Sequence, residues 1–234
     1  MHLAEFFGGW EIILVIAILL ILIGAKKLPE LFNGLGQGMK KFRKASDEVT
    51  KDLFGEKETD SEEHKPKFSV RVFVAQGLGI GRIPFAPGTF GSFLGLVWFA
   101  MLIATGNFWA YLAGCIEGVA FSIWLCDDAE KILGETDPGS VVLDEIIAIP
   151  FCFLPWVASL WMDSGAFPSV GYFFTGTALW QTLALVGLFR VFDIWKPWPI
   201  RQIQRLPGGW GVTVDDLLAA VYVAGISLFL LRWA

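Results

Sequence analysis

The chain is 234 residues long, 55% hydrophobic and only 18% charged, with 11 tryptophans and a mean hydropathy of +0.59. That balance is a membrane protein's and excludes an ordinary soluble domain. The formal charge of −5 excludes a nucleic-acid partner, because no basic surface exists to gather phosphates over many contacts.

Residues 10–24 read WEIILVIAILLILIG, with no Lys or Arg before them and Lys26, Lys27, Lys40, Lys41, Arg43 and Lys44 after them. Positive charge on the C-terminal side alone predicts a span with its N-terminus outside and the following chain in the cytoplasm, and it rules out a signal peptide. The run is shorter than the ~20 apolar residues that cross a typical bilayer, which implies local thinning, assembly, or a span that only just crosses. After Pro29, Leu31, Leu35, Met39 and Phe42 recur at helical spacing beside the basic residues, which predicts an interfacial amphipathic helix. The sequence Ile23-Gly-Ala-Lys-Lys-Leu-Pro-Glu-Leu-Phe32, followed by Gly34-Leu-Gly-Gln-Gly-Met-Lys-Lys-Phe-Arg43, resembles the TatA/TatE family of twin-arginine translocation subunits. The resemblance covers residues 1–44 and implies self-association or contact with Tat components. Residues 45–67 turn charged and poor in branched apolar side chains, the composition of a flexible cytoplasmic linker.

Residues 68–234 form the second domain, with long apolar runs at 90–105, 108–126, 141–162, 167–192 and 214–233. Each is long enough for a helix that is buried or crosses a membrane. Glu117, the Asp144-Glu145 pair, Pro150 and Pro155 interrupt these runs, and segments so interrupted are expected to be re-entrant or packed inside the bundle. The fold class is therefore all-α: a short transmembrane helix, an amphipathic helix, a flexible linker, then an apolar multi-helix bundle. Cys115, Cys126 and Cys152 lie in apolar runs and read as small buried hydrophobes, not as a disulfide frame or a zinc site. Asp127, Asp128 and Glu130 read as a solvated helix end.

Three polar clusters punctuate the apolar runs. The first, residues 77–92, is rich in glycine and opens a helix; its exposed N–H groups, with Arg82, Thr89 and Ser92, suit a phosphate, although glycines also serve turns and close helix packing. The second runs from Asp137 to Glu145: Asp137 before Pro138 is an N-cap signal, whereas Asp144 and Glu145 are expected inside an apolar helix, where a cap does not explain them. The third, residues 188–220, brings Arg190, Asp193, Lys196, Arg201 and Arg205 ahead of a Gly208-Gly209 turn and the Asp215-Asp216 pair. Charges flanked by membrane-like runs are costly unless paired, metal-bound or solvated, which makes this cluster a site candidate. Its bland alternative is a solvated loop, with Thr213 and Asp216 forming a capping box.

Adjacent carboxylates suit a hard cation such as Mg2+, which takes oxygen ligands and keeps several waters. Neighbouring helical side chains diverge by about 100°, so one member of each pair is expected to bind and the other to orient it. The second domain has no histidine, and no cysteine is followed by an arginine six residues later, so phosphohistidine and thiolate phosphatase chemistry are both missing. Metal-dependent attack of water on a phosphate ester survives, with Asp144, Glu145, Asp193, Asp215 and Asp216 holding the ion and Lys196 or an arginine countering phosphate charge.

The motifs Pro84-Phe-Ala-Pro-Gly-Thr-Phe-Gly-Ser92, Asp137-Pro-Gly-Ser-Val-Val-Leu-Asp-Glu145, Phe189-Arg-Val-Phe-Asp-Ile-Trp-Lys-Pro-Trp-Pro-Ile-Arg201 and Gly208-Gly-Trp-Gly-Val-Thr-Val-Asp-Asp216 together resemble the phosphatidylglycerophosphatase A family. The resemblance spans residues 68–234. It implies magnesium-dependent removal of the terminal phosphate of phosphatidylglycerophosphate to give phosphatidylglycerol in a bacterial cytoplasmic membrane. In that reading Asp144, Glu145, Asp193, Lys196, Asp215 and Asp216 are catalytic, and Arg190, Arg201, Arg82, Thr89 and Ser92 surround the substrate phosphate. The site would face the cytoplasm, beside an anionic membrane surface. The alternative from another class is a translocation component whose C-terminal domain is a non-catalytic scaffold.

Overall fold

The computed structural model describes residues 69–231. The short span at 10–24, the amphipathic helix and the charged linker therefore lie outside the described residues. The chain divides into two units, Met1–Lys67 and Phe68–Ala234, and the described residues all belong to the second.

Every regular element among the described residues is helical: α1 Val70–Ala75, a 3-10 turn Ile80–Arg82, α2 Pro87–Ala104, α3 Phe108–Leu133, α4 Leu143–Ser164, α5 Val170–Phe173, α6 Gly176–Trp195, α7 Ile200–Ile203 and α8 Gly209–Leu231. Of these, α2, α3, α4, α6 and α8 are long and apolar enough to cross a membrane. Local chemistry sets several ends. Pro87 opens α2, where its missing N–H would have had no helical partner. Asn107 caps α3 by accepting the N–H groups of Trp109 and Ala110, and Gly134, in the left-handed conformation at φ 69°, closes the same helix. The apolar run at 167–192 divides into α5 and α6 at Gly176, whose φ is 55°.

The expected interruptions are corrected: α3 runs unbroken through Glu117, the Asp144-Glu145 pair stands in the first turn of α4, and α4 runs through Pro150 and Pro155 as a single helix of 22 residues, so of the two alternatives it is the packed one and not the re-entrant one. Each proline removes one N–H, but in lipid no water competes for the remaining ladder, so the helix is still the cheapest arrangement of the backbone. The carbonyl of Ile146, which Pro150 leaves without its usual donor, is covered by α2: a Cβ at Gly95 would lie 3.1 Å from it. Tyr111 of α3 donates to the Pro150 carbonyl at 2.6 Å, between the two prolines.

The proline-bearing α4 is the central helix and packs against α2, α3, α6 and α8. Its neighbours meet in an aromatic core in which Phe99 and Phe153 stack at 4.3 Å and Phe173 meets Phe99 edge-on. Outer faces carry Val97, Met101, Ile116, Phe121, Val221 and Leu228, all exposed. Lipid solvates such faces at no cost, so close packing and internal polar contacts, not water exclusion, must hold this bundle together. The same antiparallel wiring brings the N-termini of α2, α4 and α8 to one end with the C-termini of α3 and α6. All the polar motifs lie there.

Candidate active site

The site is assembled from helix ends. Arg190, in the penultimate turn of α6, is buried and uses Nη1 for two carboxylates, Glu145 Oε1 of α4 and Asp193 Oδ2 of its own helix, each at 2.7 Å. The second contact is the i,i+3 geometry expected of residues on one helix face. The first crosses 45 residues of sequence and joins two motifs. The glycines of α2 permit this. A Cβ at Gly88 would run into Glu145 Oε1 and stand 2.7 Å from Arg190 Nη2, and one at Gly91 would stand 2.9 Å from Val142 Cβ. These glycines give the ion pair room, and that packing role is the one the structure assigns them.

Lys196 follows the last residue of α6 in the left-handed conformation at φ 44°, and its N–H still bonds to the Phe192 carbonyl at 2.8 Å. A lysine rarely adopts that conformation without local compensation. Here its ammonium donates to Asp215 Oδ2 of α8. Burial alone would lower the ammonium's pKa, but Asp215 first, then Asp193 and Asp216, outweigh it and hold the value above the ordinary lysine range. Lys196 thus presents its ammonium, paired with Asp215, at the edge of the cluster.

The two carboxylate pairs divide their work. Glu145 pairs with Arg190, and Asp215 with Lys196. Their neighbours Asp144 and Asp216 are buried, and Asp144 Oδ1 and Asp216 Oδ2 meet no hydrogen-bond partner. Asp216 also lies within electrostatic range of Asp193, Asp144, Asp215 and Glu145. Five carboxylates thus face two cations in a buried space, an imbalance that low-dielectric surroundings do not tolerate without a further positive charge or protons. Two orphaned carboxylate oxygens fit a hard divalent ion. Among the described residues no three His, Cys, Asp or Glu side chains converge into a ready-made cage. That suits Mg2+, which is commonly held by one or two carboxylates with water and phosphate oxygens completing its shell.

Several expected residues fall elsewhere. Ser92 is fully buried and its hydroxyl donates back to the Gly88 carbonyl at 2.9 Å. Thr89 Oγ1 is buried beside the Gly88 approach and has no partner. Arg82 is exposed, with Nε on Gln76 Oε1 at 2.7 Å, and Arg201 is exposed on α7. The capping-box alternative is excluded, because α8 begins at Gly209 and carries Thr213 and Asp216 inside it. Thr213 instead meets Ser122 of α3 at 3.0 Å, in full burial. Asp137 is no N-cap either: α4 starts after Val142, and Asp137 has φ 50°. Its N–H donates to Glu130 Oε1 and its carboxylate accepts from Gln204 Nε2, both at 2.7 Å, which ties residues 196–208 to the α3–α4 connection. The helix-end reading of Asp127 and Asp128 agrees with their ion pairs to Lys131 and Arg71. The three cysteines are buried and free.

Sequence reasoning missed Gln76, which is buried and bridges Arg82 to Ser140 Oγ. A glutamine closing the apolar run VRVFVA was the available signal. It missed Gln204 as well, and nothing in the sequence around Gln204 marks it.

The sequence model described as Phosphatidylglycerophosphatase A matches residues 73–231, and that of the mttA/Hcf106 family matches residues 6–52. Among curated relatives, Phosphatidylglycerophosphatase A of Escherichia coli (strain K12) is 33% identical over 160 residues, 67% of this chain and 81% of the relative. A putative phosphatidylinositol-3-phosphatase of Bacteroides thetaiotaomicron is 34% identical over 173 residues, 72% of this chain and 97% of the relative. The Sec-independent protein translocase protein TatA of Chlorobium phaeovibrioides is 58% identical over 46 residues, 20% of this chain and 67% of the relative. No solved structure matches the chain.

Proposed function

The chain belongs to the phosphatidylglycerophosphatase A family, with a segment of the mttA/Hcf106 family ahead of the enzyme domain, and from that premise we propose that it hydrolyses the terminal phosphate of phosphatidylglycerophosphate with the help of Mg2+. The observation that carries the reading is the division of the two carboxylate pairs. Glu145 and Asp215 are held by cations, while Asp144 Oδ1 and Asp216 Oδ2 are buried without partners. Asp144 and Asp216 would hold the ion, with Asp193, anchored by Arg190, beside them to orient it or its water. When bound, it would neutralise the carboxylates, offset charge on the phosphate oxygens and make water a better nucleophile.

The chain's own residues do the rest. Arg190 fixes Glu145 and Asp193 relative to one another, so the carboxylates need little reorganisation when the phosphate arrives. Lys196 attracts the phosphate and stabilises negative charge as water forms the new P–O bond. The bond to the terminal glycerol oxygen then breaks, and that oxygen leaves with a proton. A site at helix ends lets acyl chains stay in the bilayer while the headgroup is processed.

Substrate identity is a genuine choice, because two relatives carry names with different lipid phosphates. Release of inorganic phosphate by the purified full chain tests it, using phosphatidylglycerophosphate, phosphatidylinositol 3-phosphate and phosphatidic acid with Mg2+ or EDTA. Turnover confined to phosphatidylglycerophosphate and abolished by EDTA is expected. Equal turnover of all three lipids, or full activity in EDTA, defeats the proposal.

Sidedness follows from charge. All seven Lys and Arg of the described residues lie at the site end, and the connections at 105–107 and 165–175 have none. The positive-inside rule supports a site on the cytoplasmic face, and the family match supports a bacterial inner membrane. The match over residues 6–52 supports a second role for that segment, in assembly or Tat association. Complementation of a translocase deletion by the full chain tests that role separately.

A further inference from the structure

Glu117 carries a carboxyl group where a membrane offers it nothing. It is exposed on the outer face of α3, between Trp109 and Trp124, which are also exposed. At the helical rise it stands about 12 Å from the first tryptophan and about 10 Å from the second, so its short side chain reaches neither interface. Among the described residues no hydrogen bond or ion pair satisfies it; Arg71, which lies over the Trp124 ring at 5.7 Å, is committed to Asp128 further along the helix. Ionisable groups at this depth normally face a bundle interior or a partner.

The surface around Glu117 is shaped for a helix. Ala110, Ala113, Glu117, Ala120 and Trp124 are all exposed, at spacings of three, four, three and four. That is the seam of a left-handed helix pair, and its alanines allow two backbones to approach closely. Helix α3 is also the least enclosed of the five long helices.

We propose that α3 is a dimerisation helix, packing along this seam against α3 of a second copy of the chain, with Glu117 meeting Glu117 of the partner subunit in a carboxyl-to-carboxyl hydrogen bond. Symmetry makes this the economical occupant. Two copies inserted the same way bring the same group to the same depth, each supplying what the other lacks. The chain's own N-terminal run suits it less: of residues 10–24, WEIILVIAILLILIG, only Trp10 and Glu11 at its start can hydrogen-bond a carboxyl group, and the remaining thirteen cannot.

The test is disulfide cross-linking of the full chain in native membranes. Ala113→Cys and Ala120→Cys should give a cross-linked dimer on oxidation, and Val97→Cys, on the outer face of α2, should not. Native Cys115, Cys126 and Cys152 are buried, so the chain without an added cysteine sets the background. Adding Glu117→Leu to Ala120→Cys should cut dimer yield about tenfold, and Glu117→Gln, which can still pair with its copy, should preserve it. Cross-linking no stronger than that of Val97→Cys overturns the proposal, as does full yield with Glu117→Leu or loss with Glu117→Gln. It is equally overturned if Ala120→Cys joins Ile16→Cys within one chain in preference to a second copy, since the occupant would then be the N-terminal run.

Discussion

Asp144, Asp193 and Asp216 are the residues on which the proposed chemistry stands or falls. Asp144→Asn, Asp193→Asn and Asp216→Asn keep the shape of the side chain and remove its charge, so each should lower phosphatidylglycerophosphate turnover by about 100-fold or more while the protein still folds. Near-normal turnover of all three at limiting Mg2+ would rule out the carboxylate site. Arg190 is a different case, because its Nη1 is already committed to two carboxylates. Arg190→Gln strands two buried charges, a change that typically costs ~3–5 kcal/mol. Its thermal transition in detergent should therefore fall together with its activity. Lys196→Met should act more on phosphate handling than on stability; an unchanged KM and kcat would remove Lys196 from the phosphate. Gly88→Ala puts a methyl group against the Arg190–Glu145 pair and should cost about 1–3 kcal/mol. A Gly88→Ala enzyme as stable and active as the parent would show that the close approach is dispensable. The carboxylate pairs were legible in the sequence because charge in an apolar run is conspicuous. Their partners were not: the Glu145–Arg190 contact spans 45 residues, and no local pattern announces a contact at that range.

Helix α4 shows where reading by segments fails. The apolar run was visible, but Pro150 and Pro155 left it open whether the segment is re-entrant or packed inside the bundle, and α4 is the packed one. What decides the outcome is the surroundings: lipid penalises open backbone more heavily than two missing donors penalise the helix. The turn between the prolines is tied to α3 by Tyr111. Tyr111→Phe should therefore lower stability by about 1 kcal/mol, read as an earlier transition in detergent, with catalysis unaffected. An unchanged transition would mean that the bond adds nothing to the helix. Asp137 was misread for a related reason. A residue before proline looks like a cap, yet here the backbone turns left-handed and α4 begins only at Leu143. Five long apolar helices were legible from composition alone, because each run exceeds what a strand or loop uses.

The two sequence matches fall on separate stretches of the chain, residues 6–52 and 73–231, and every proposed catalytic residue lies in the second. Deleting residues 1–60 should therefore leave hydrolysis in detergent largely intact; loss of activity from a truncated but folded protein would show that the halves are not independent modules. The five long helices also have a consequence for anyone attaching a reporter. If all five cross with the site end in the cytoplasm, as proposed above, their odd number takes the chain out of α8 on the opposite side. A fluorescent protein that matures only in the cytoplasm should glow when inserted ahead of Phe68 and stay dark when joined after the last residue. A periplasm-dependent alkaline phosphatase should give the mirror-image result.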